Sequence, residues 1–303
     1  MKRKIWRILF KILQKINITI LPNHFYSNIP DFGILNSQDF WKKPMSMIGV
    51  NGIEIHSQLE FIKECVNSLE DKSILENFNI INLATREQNE TGYGVIEADF
   101  LLCFINHFKP KKIIQIGCGI STSIILRASR IANYSINITC IEPYPSEYLK
   151  QLDEKQEIRL ISKIAQNVPI DTLIDLDSGD LLFIDSTHTV KTGSEVNRII
   201  LEVIPRLKKN VFIHFHDIYF PFDYQRNFKS TLFFWNESTL LHSLLINNNN
   251  LTIRASQSML HYEAKDVLQE IFSNYKPQSE NYGLPTNRNR QYHFPSSTFL
   301  QVI

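Results

Sequence analysis

Residues 111–122 read KKIIQIGCGIST, and the rest of the chain is organised around them. Positions 113–116 are rich in β-branched Ile and run straight into Gly117-Cys118-Gly119, after which Ser121 and Thr122 open an apolar run at 124–128. A strand, a tight glycine turn and a helix start are the expected structure. The turn uses glycine because a backbone without Cβ reaches positive φ and lets a ligand approach closely. At the helix entrance, unpaired N–H groups and the positive dipole end face the same crevice. A nucleotide-like molecule lying across the carboxyl end of the strand is the expected occupant.

A lone G-x-G fits a plain strand-to-helix turn as well as a ligand site. The next strand supplies a second signal: residues 136–141 are apolar and end in Glu142, twenty residues beyond Thr122. An acid at about that distance is where an α/β nucleotide fold accepts hydrogen bonds from ribose hydroxyls. Dinucleotide sites carry a third glycine, G-x-G-x-x-G, so that a pyrophosphate can sit on the helix end. Thr122 stands at that position here, which favours a ligand without a pyrophosphate.

On these residues, GCGIST at 117–122 and IEPYP at 141–145, the chain resembles the class I S-adenosylmethionine-dependent methyltransferases. The resemblance implies that Gly117, Cys118, Gly119, Ser121 and Thr122 hold the methionine part of S-adenosylmethionine and that Glu142 holds its ribose. Gln115 departs from the pattern, since many relatives carry Glu or Asp there.

The second half supplies candidate chemistry. Residues 181–184, LLFI, are wholly apolar, as a strand buried on both faces should be, and they end in Asp185, with His188 three residues on. A helix over 193–204 should stop at Pro205. The strand at 211–215 then ends in His216-Asp217. Asp185, expected beside the cofactor as well, and His216-Asp217 thus reach one carboxyl edge, the ligand edge of an open parallel sheet.

Methyl transfer from a sulfonium is an in-line displacement, so an acceptor hydroxyl needs positioning and either a base or a metal that lowers its pKa. Asp185, Asp217 and His188 are the candidate catalytic groups, with His188 as base because imidazole titrates near neutrality. Asp185, His216 and Asp217 are the candidate set for Mg²⁺. Two acids at adjacent strand ends crowd like charge and need cations or protons. His214, inside a strand, reads as a core histidine. The aromatics Tyr219, Phe220, Phe222 and Tyr224 read either as pocket wall or as core.

Three longer stretches, GDLLFIDSTHTVKTGSEVN at 179–197, HFHDIYFPFDY at 214–224 and FWNESTLL at 234–241, resemble a bacterial branch of the same family. That branch is related to macrocin-type sugar O-methyltransferases and cephalosporin-hydroxylase-like proteins. The resemblance implies an α/β, Rossmann-like, seven-stranded mostly parallel sheet with helices on both faces, its last strand, 297–302, antiparallel. It also implies O-methylation of a saccharide or small hydroxylated metabolite. A non-catalytic S-adenosylmethionine-binding protein in a biosynthetic assembly is the alternative, with Gln115 and His216 as marks of drift.

Composition agrees with one large domain plus an extension: 303 residues, 43% hydrophobic and 21% charged. An α-helical N-terminal extension and cap is expected over 1–90, with helical spacing at 55–69, and the methyltransferase domain over 91–303. Residues 90–94, ETGYG, form a glycine-hinged loop that reads equally as connector or as lid. A net charge of +1 gives no support to a general nucleic-acid binder, and no nucleic-acid partner is expected. Cys65, Cys103, Cys118 and Cys140 show no C-x-x-C spacing, so reduced thiols in a cytoplasmic protein are expected. At the N-terminus, Lys4, Arg7, Lys11 and Lys15 recur on one side and Ile5, Ile8, Leu9, Ile12 and Ile16 on the other. Charge interrupts the stretch too often for a spanning helix, and it lacks a small-residue cleavage site. Two readings stay open: residues 1–20 lie in an anionic membrane interface, or they pack on their own domain or on a second subunit of a homo-oligomer.

Overall fold

Successive residues of the central strands go to opposite faces, and in this chain both faces are apolar. The computed structural model describes residues 2–21, 23–77, 79–88, 92–286 and 291–303. Helix α1 (Lys2–Gln14) opens the chain, and α2 (Ile55–Asn67), α3 (Ile80–Gln88) and α4 (Val95–Phe108) precede strand β1 (Lys112–Ile116). There follow α5 (Ile120–Ile131), β2 (Asn137–Ile141), α6 (Glu147–Glu154), β3 (Arg159–Ile161) and β4 (Leu181–Ile184). Helix α7 (Glu195–Arg198) runs on through a π turn and a final 3-10 turn that contains Pro205. The chain closes with β5 (Phe212–Phe215), α8 (Glu237–Leu245), β6 (Leu251–Ser256) and β7 (Thr298–Val302).

The seven strands lie in the order β3-β2-β1-β4-β5-β7-β6. Strands β1 to β5 are parallel, and β7 runs antiparallel between β5 and β6. This is the expected sheet. The strand that had no clear signal is β6, LTIRAS, whose alternating burial places it at an edge.

Ile113, Leu181, Phe183 and Phe212 join one core with α2 to α5, while Ile114, Leu182, Ile184 and Ile213 join another with α7 and α8. Every residue of α4 from Ile96 to Ile105 is buried, so it is a central helix rather than an amphipathic one. Its Phe100 meets Phe299 of β7 edge to face, with ring centroids 4.9 Å apart, and Phe104 meets Phe212 of β5 in the same way at 5.1 Å. Such pairs add to the area they bury.

Packing divides the chain between Lys43 and Pro44, into units 1–43 and 44–303, and not near residue 90. Leu59, Phe61, Ile62, Cys65, Ile80 and Ala84, from α2 and α3, are buried in the same core as β1 and α4. A cut at 90 would pass through that core. Helical periodicity announces a helix but not what covers it, which is why residues 44–88 read as a cap. All four cysteines are free thiols. Among the described residues no helix is long and apolar enough to cross a membrane.

The boundary is directly testable. Those six buried side chains, at about 1.5–3 kcal/mol each for the larger ones, are comparable with the whole stability of a domain, about 5–15 kcal/mol. Residues 44–303 alone should melt cooperatively, as should the full chain, in a circular dichroism scan. Residues 91–303 should give no cooperative transition.

Candidate active site

The last rungs of the parallel ladder set four strand ends side by side. The Glu142 N–H donates to the Ile161 carbonyl (3.2 Å), Gly117 to Ile141 (3.1 Å), Asp185 to Ile116 (2.8 Å) and His216 to Ile184 (2.9 Å). Strand order reverses between β1 and β4, the switch point at which open α/β sheets bind ligands. A cleft of about 250 Å³ opens there. It is lined by the corner from Gly117 to Ser121, by Glu142, by Asp185, His216 and Asp217, and by Gly92 and Tyr93 from the loop before α4. Glu90 and Thr91 of that loop lie outside the described residues.

The corner requires glycine at 117. Its φ is +79°, and a Cβ there would lie 1.6 Å from the Asp185 carbonyl oxygen, so β1 and β4 meet backbone to backbone. Beneath the corner sits Gln115, fully buried. Its Nε2 donates to Ser121 Oγ (2.6 Å), and its Oε1 accepts from Thr122 Oγ1 (2.8 Å), which in turn accepts from the Gly119 N–H (3.2 Å). An amide can do both; a carboxylate could not donate to Ser121. Thr122 is completely buried and holds the corner instead of facing the cleft, which corrects its expected role as a cofactor contact. Ser121 borders the cleft with its hydroxyl committed to Gln115. The Cys118 thiol turns inward to the Gln115 carbonyl (3.4 Å). Gln88 of α3 donates to the Gly119 carbonyl (3.1 Å) and accepts from Ser146 Oγ (2.8 Å), so the segment before residue 90 braces the site. Beside the corner, Glu142 accepts from the N–H groups of Cys118 (3.3 Å) and Tyr144 (2.9 Å), which fix its carboxylate at the rim.

Asp185, Asp217, His188 and His216 form a ring of alternating charge. His188 Nε2 lies 3.5 Å from Asp185 Oδ1 and 3.6 Å from Asp217 Oδ2, and His216 Nδ1 stands at the same two distances from the same two oxygens. Further acids close both ends. Glu237 Oε2 is 2.8 Å from His188 Nδ1, and Glu97 Oε1 is 3.4 Å from His216 Nε2. Glu97 also accepts from the Ser296 N–H (2.8 Å) and Ser297 Oγ (3.0 Å). Asp217 Oδ1 accepts from Tyr219 OH (2.8 Å) and Ser296 Oγ (3.0 Å). Asp217 and His188 have φ of 56° and 57°, in the left-handed region that Asp and His tolerate better than most residues.

Burial works against both imidazoliums, but the surrounding carboxylates outweigh it. His188 is pushed up to about 10 by Asp185, Glu237 and Asp217, and His216 well above its ordinary value by Asp185, Asp217 and Glu97. Burial would raise Asp185, yet His216 and His188 hold it well below the usual carboxylate range. Glu237 goes the other way, because burial dominates and pushes it up.

Two expectations change. His188 does not border the cleft and is held protonated behind the acids, so it is not the free base that its sequence position suggested. The Mg²⁺ set of Asp185, His216 and Asp217 does not fit the ion, which wants oxygens at about 2.0–2.1 Å in octahedral array. Both carboxylates already face ring nitrogens of His188 and His216, and among the described residues no group of three such donors is arranged to hold a metal ion. His214 is a core histidine: its ring stacks on Phe183 at 4.0 Å, its Nε2 meets Ser297 Oγ at 3.0 Å, and burial drops it to about 3. Of the aromatic cluster, Tyr219, Phe220 and Phe222 are buried, and Tyr219 alone bonds a site acid.

Glu97, Glu237 and Ser296 were not singled out in the sequence, whereas Tyr93 belongs to the 90–94 loop that reads as connector or lid. Tyr93 stacks on His216 at 4.8 Å. The signal for Glu97 was a charge inside an otherwise apolar helix, which is rarely buried unless paired. Glu237 sits in the first turn of α8, where an acid needs no further explanation.

Residues 114–218 match a methyltransferase domain. A protein of Archaeoglobus fulgidus, described only as uncharacterised, is 29% identical over 138 residues, 43% of this chain and 61% of its own length. The chain thus spans about three fifths of that relative. Solved structures with a similar build include the methyltransferase PaMTH1 of Podospora anserina bound to S-adenosylhomocysteine (15% identity, TM-score 0.43, covering 75% of this chain and 88% of that one). Rv0187 from MTB, cofactor-bound, gives 12% identity and a TM-score of 0.44 over 78% and 95% of the two chains. The plantazolicin methyltransferase BamL gives 13% and 0.40 over 82% and 97%.

Gln115→Met should leave the Ser121 and Thr122 hydroxyls buried without their shared partner. It is expected to cost about 1–3 kcal/mol in chemical denaturation. A second prediction follows from His188. Its folded pKa, about 10, lies above its ordinary 6.5, so its contribution is complete below pH 6.5 and is lost as pH rises through 10. Unfolding free energies measured across that window should fall in the wild type and fall less steeply in His188→Gln.

Proposed function

We propose that the protein transfers a methyl group from S-adenosylmethionine to a hydroxyl oxygen of a saccharide or a small hydroxylated metabolite. One observation carries the reading: the glycine corner, Glu142 and the acids Asp185 and Asp217 border a single cleft at the switch point. The match of residues 114–218 to a methyltransferase domain supports it. The resemblance of 179–197, 214–224 and 234–241 to the branch related to sugar O-methyltransferases supports an oxygen acceptor.

The residues fit such a ligand. Glu142 is held at the rim by two N–H groups and keeps lone pairs for a ribose diol. Gly117 and Gly119 put bare backbone against the cleft, where a methionine part can lie close. The bound sulfonium supplies an activated methyl group. Everything else falls to the chain. Asp217, bordering the cleft, takes the hydroxyl proton as the new C–O bond forms and the C–S bond breaks. His188 and His216 are positioning residues: their ring nitrogens face both Asp185 and Asp217, and they hold Asp185 well below the usual carboxylate range. Tyr219 and Ser296 fix the second oxygen of Asp217.

Isothermal titration with S-adenosylmethionine should show binding in the wild type, and Glu142→Ala should weaken it about 10- to 100-fold, the worth of hydrogen bonds to a charged group. Asp217→Asn should bind the cofactor as the wild type does and lose about 10²–10⁴-fold in turnover. Turnover is read as tritiated methyl transferred to cell-envelope glycans and simple sugars, and EDTA should leave it unchanged. Absence of cofactor binding sinks the proposal. Binding with no transfer to any acceptor favours the non-catalytic alternative.

A further inference from the structure

Most of the large apolar side chains exposed to solvent among the described residues fall between positions 5 and 40. On α1, Ile5, Ile8, Leu9 and Ile12 share one face at i, i+3, i+4, i+7 spacing and are 58%, 53%, 38% and 56% exposed. Beyond the helix, Phe25 and Tyr26 are 84% and 83% exposed, their rings 4.1 Å apart. A soluble surface scatters such residues singly; a contiguous set marks something that covers it.

Charge identifies the cover. Residues 1–30 hold six of the chain's 32 basic residues and none of its 31 acids, the first being Asp31. A second copy of this segment would bring six like charges against six, with no acid within it to pair them. A protein partner would have to be both acidic and apolar over the same strip. A bilayer containing anionic lipid offers both at once: acyl chains for the Ile face, and anionic headgroups for the bases around it, Lys11 and Lys15 nearest that face. At 13 residues α1 is about 20 Å long, against a hydrocarbon core of about 30 Å, so it lies along the surface and does not cross it. Exposed Trp6 and Tyr26 are the ring types that favour the headgroup level.

We propose that residues 2–26 bind the surface of an anionic membrane, with the apolar face of α1 in the acyl boundary and its cations on the headgroups. The proposal is independent of the methyl-transfer reading, because no residue of the cleft takes part.

The test is co-sedimentation of the full chain with vesicles of phosphatidylcholine alone or mixed with phosphatidylglycerol. Binding to the mixed vesicles alone, weakened at high salt, supports the proposal. Each base near such a surface contributes about fivefold in partition, so K11E/K15E should bind at least about twentyfold more weakly. I8E/I12E should not bind at all. Both variants should keep the wild-type melting transition, since they alter exposed side chains. Equal binding to both vesicle types, or to neither, overturns the proposal. So does light scattering that shows a concentration-dependent dimer abolished by I8E/I12E, because the face would then belong to a second copy.

Discussion

The structure depends on one close approach. At the switch point the backbone of Gly117 lies so near the Asp185 carbonyl that no Cβ fits between them. That proximity closes the ends of β1 and β4 together, sends α5 away on one side, and leaves the crevice on the other. Gln115 and Thr122 keep the corner from relaxing, because their hydrogen bonds are buried and have no water to exchange with. Helix α3 then fixes the same corner from outside through Gln88. The binding edge is therefore a consequence of backbone packing before any functional side chain is considered.

The second constraint is electrostatic. Glu97, Asp185, Asp217 and Glu237 converge behind or beside the cleft, and so many carboxylates cannot be ionised together in a protein interior unless cations stand among them. Two imidazoliums do this, each touching acids through both ring nitrogens. Neither nitrogen of His216 reaches hydrogen-bond geometry; both face carboxylates at 3.4–3.6 Å. The attraction is thus mainly between charges, and its strength comes from the lack of solvent screening. Histidine at 216, which reads as a mark of drift in the sequence, holds Glu97 and Asp185 below their ordinary values and so keeps them charged.

Much of this was legible in the sequence, for a reason specific to parallel sheets. Such a sheet aligns all its strand ends on one edge, so the residue after each apolar run is placed by topology alone; Gly117, Glu142, Asp185, His216 and Asp217 were found in that way and share one cleft. What topology does not give is side-chain direction. Thr122 and His188 are next to the site in sequence, but one points beneath the corner and the other behind the acids. Glu97 and Glu237 arrive from helices far away in the chain, where nothing local separates a site acid from a helix-terminal one. The division at Lys43 was hidden for a similar reason: α2 and α3 repeat at helical spacing whether they cap a domain or complete its core.

These two constraints assign different duties to the two sides of the cleft. The glycine side is largely backbone, with the Glu142 carboxylate bonded to it, and is held by an amide that donates and accepts at once; it can recognise a ligand by shape and by directed hydrogen bonds. The acid side is a charge lattice whose members fix one another, so removing one alters the rest: without His216, four carboxylates would share the one remaining imidazolium, and Glu97 would lose its partner, so that a proton would have to replace the lost charge. For the proposed transfer this is a useful asymmetry. A sulfonium held against the glycine corner would share the cleft with the Asp185 carboxylate, which would favour binding of the cation, while Asp217 would stand ready for the acceptor's proton.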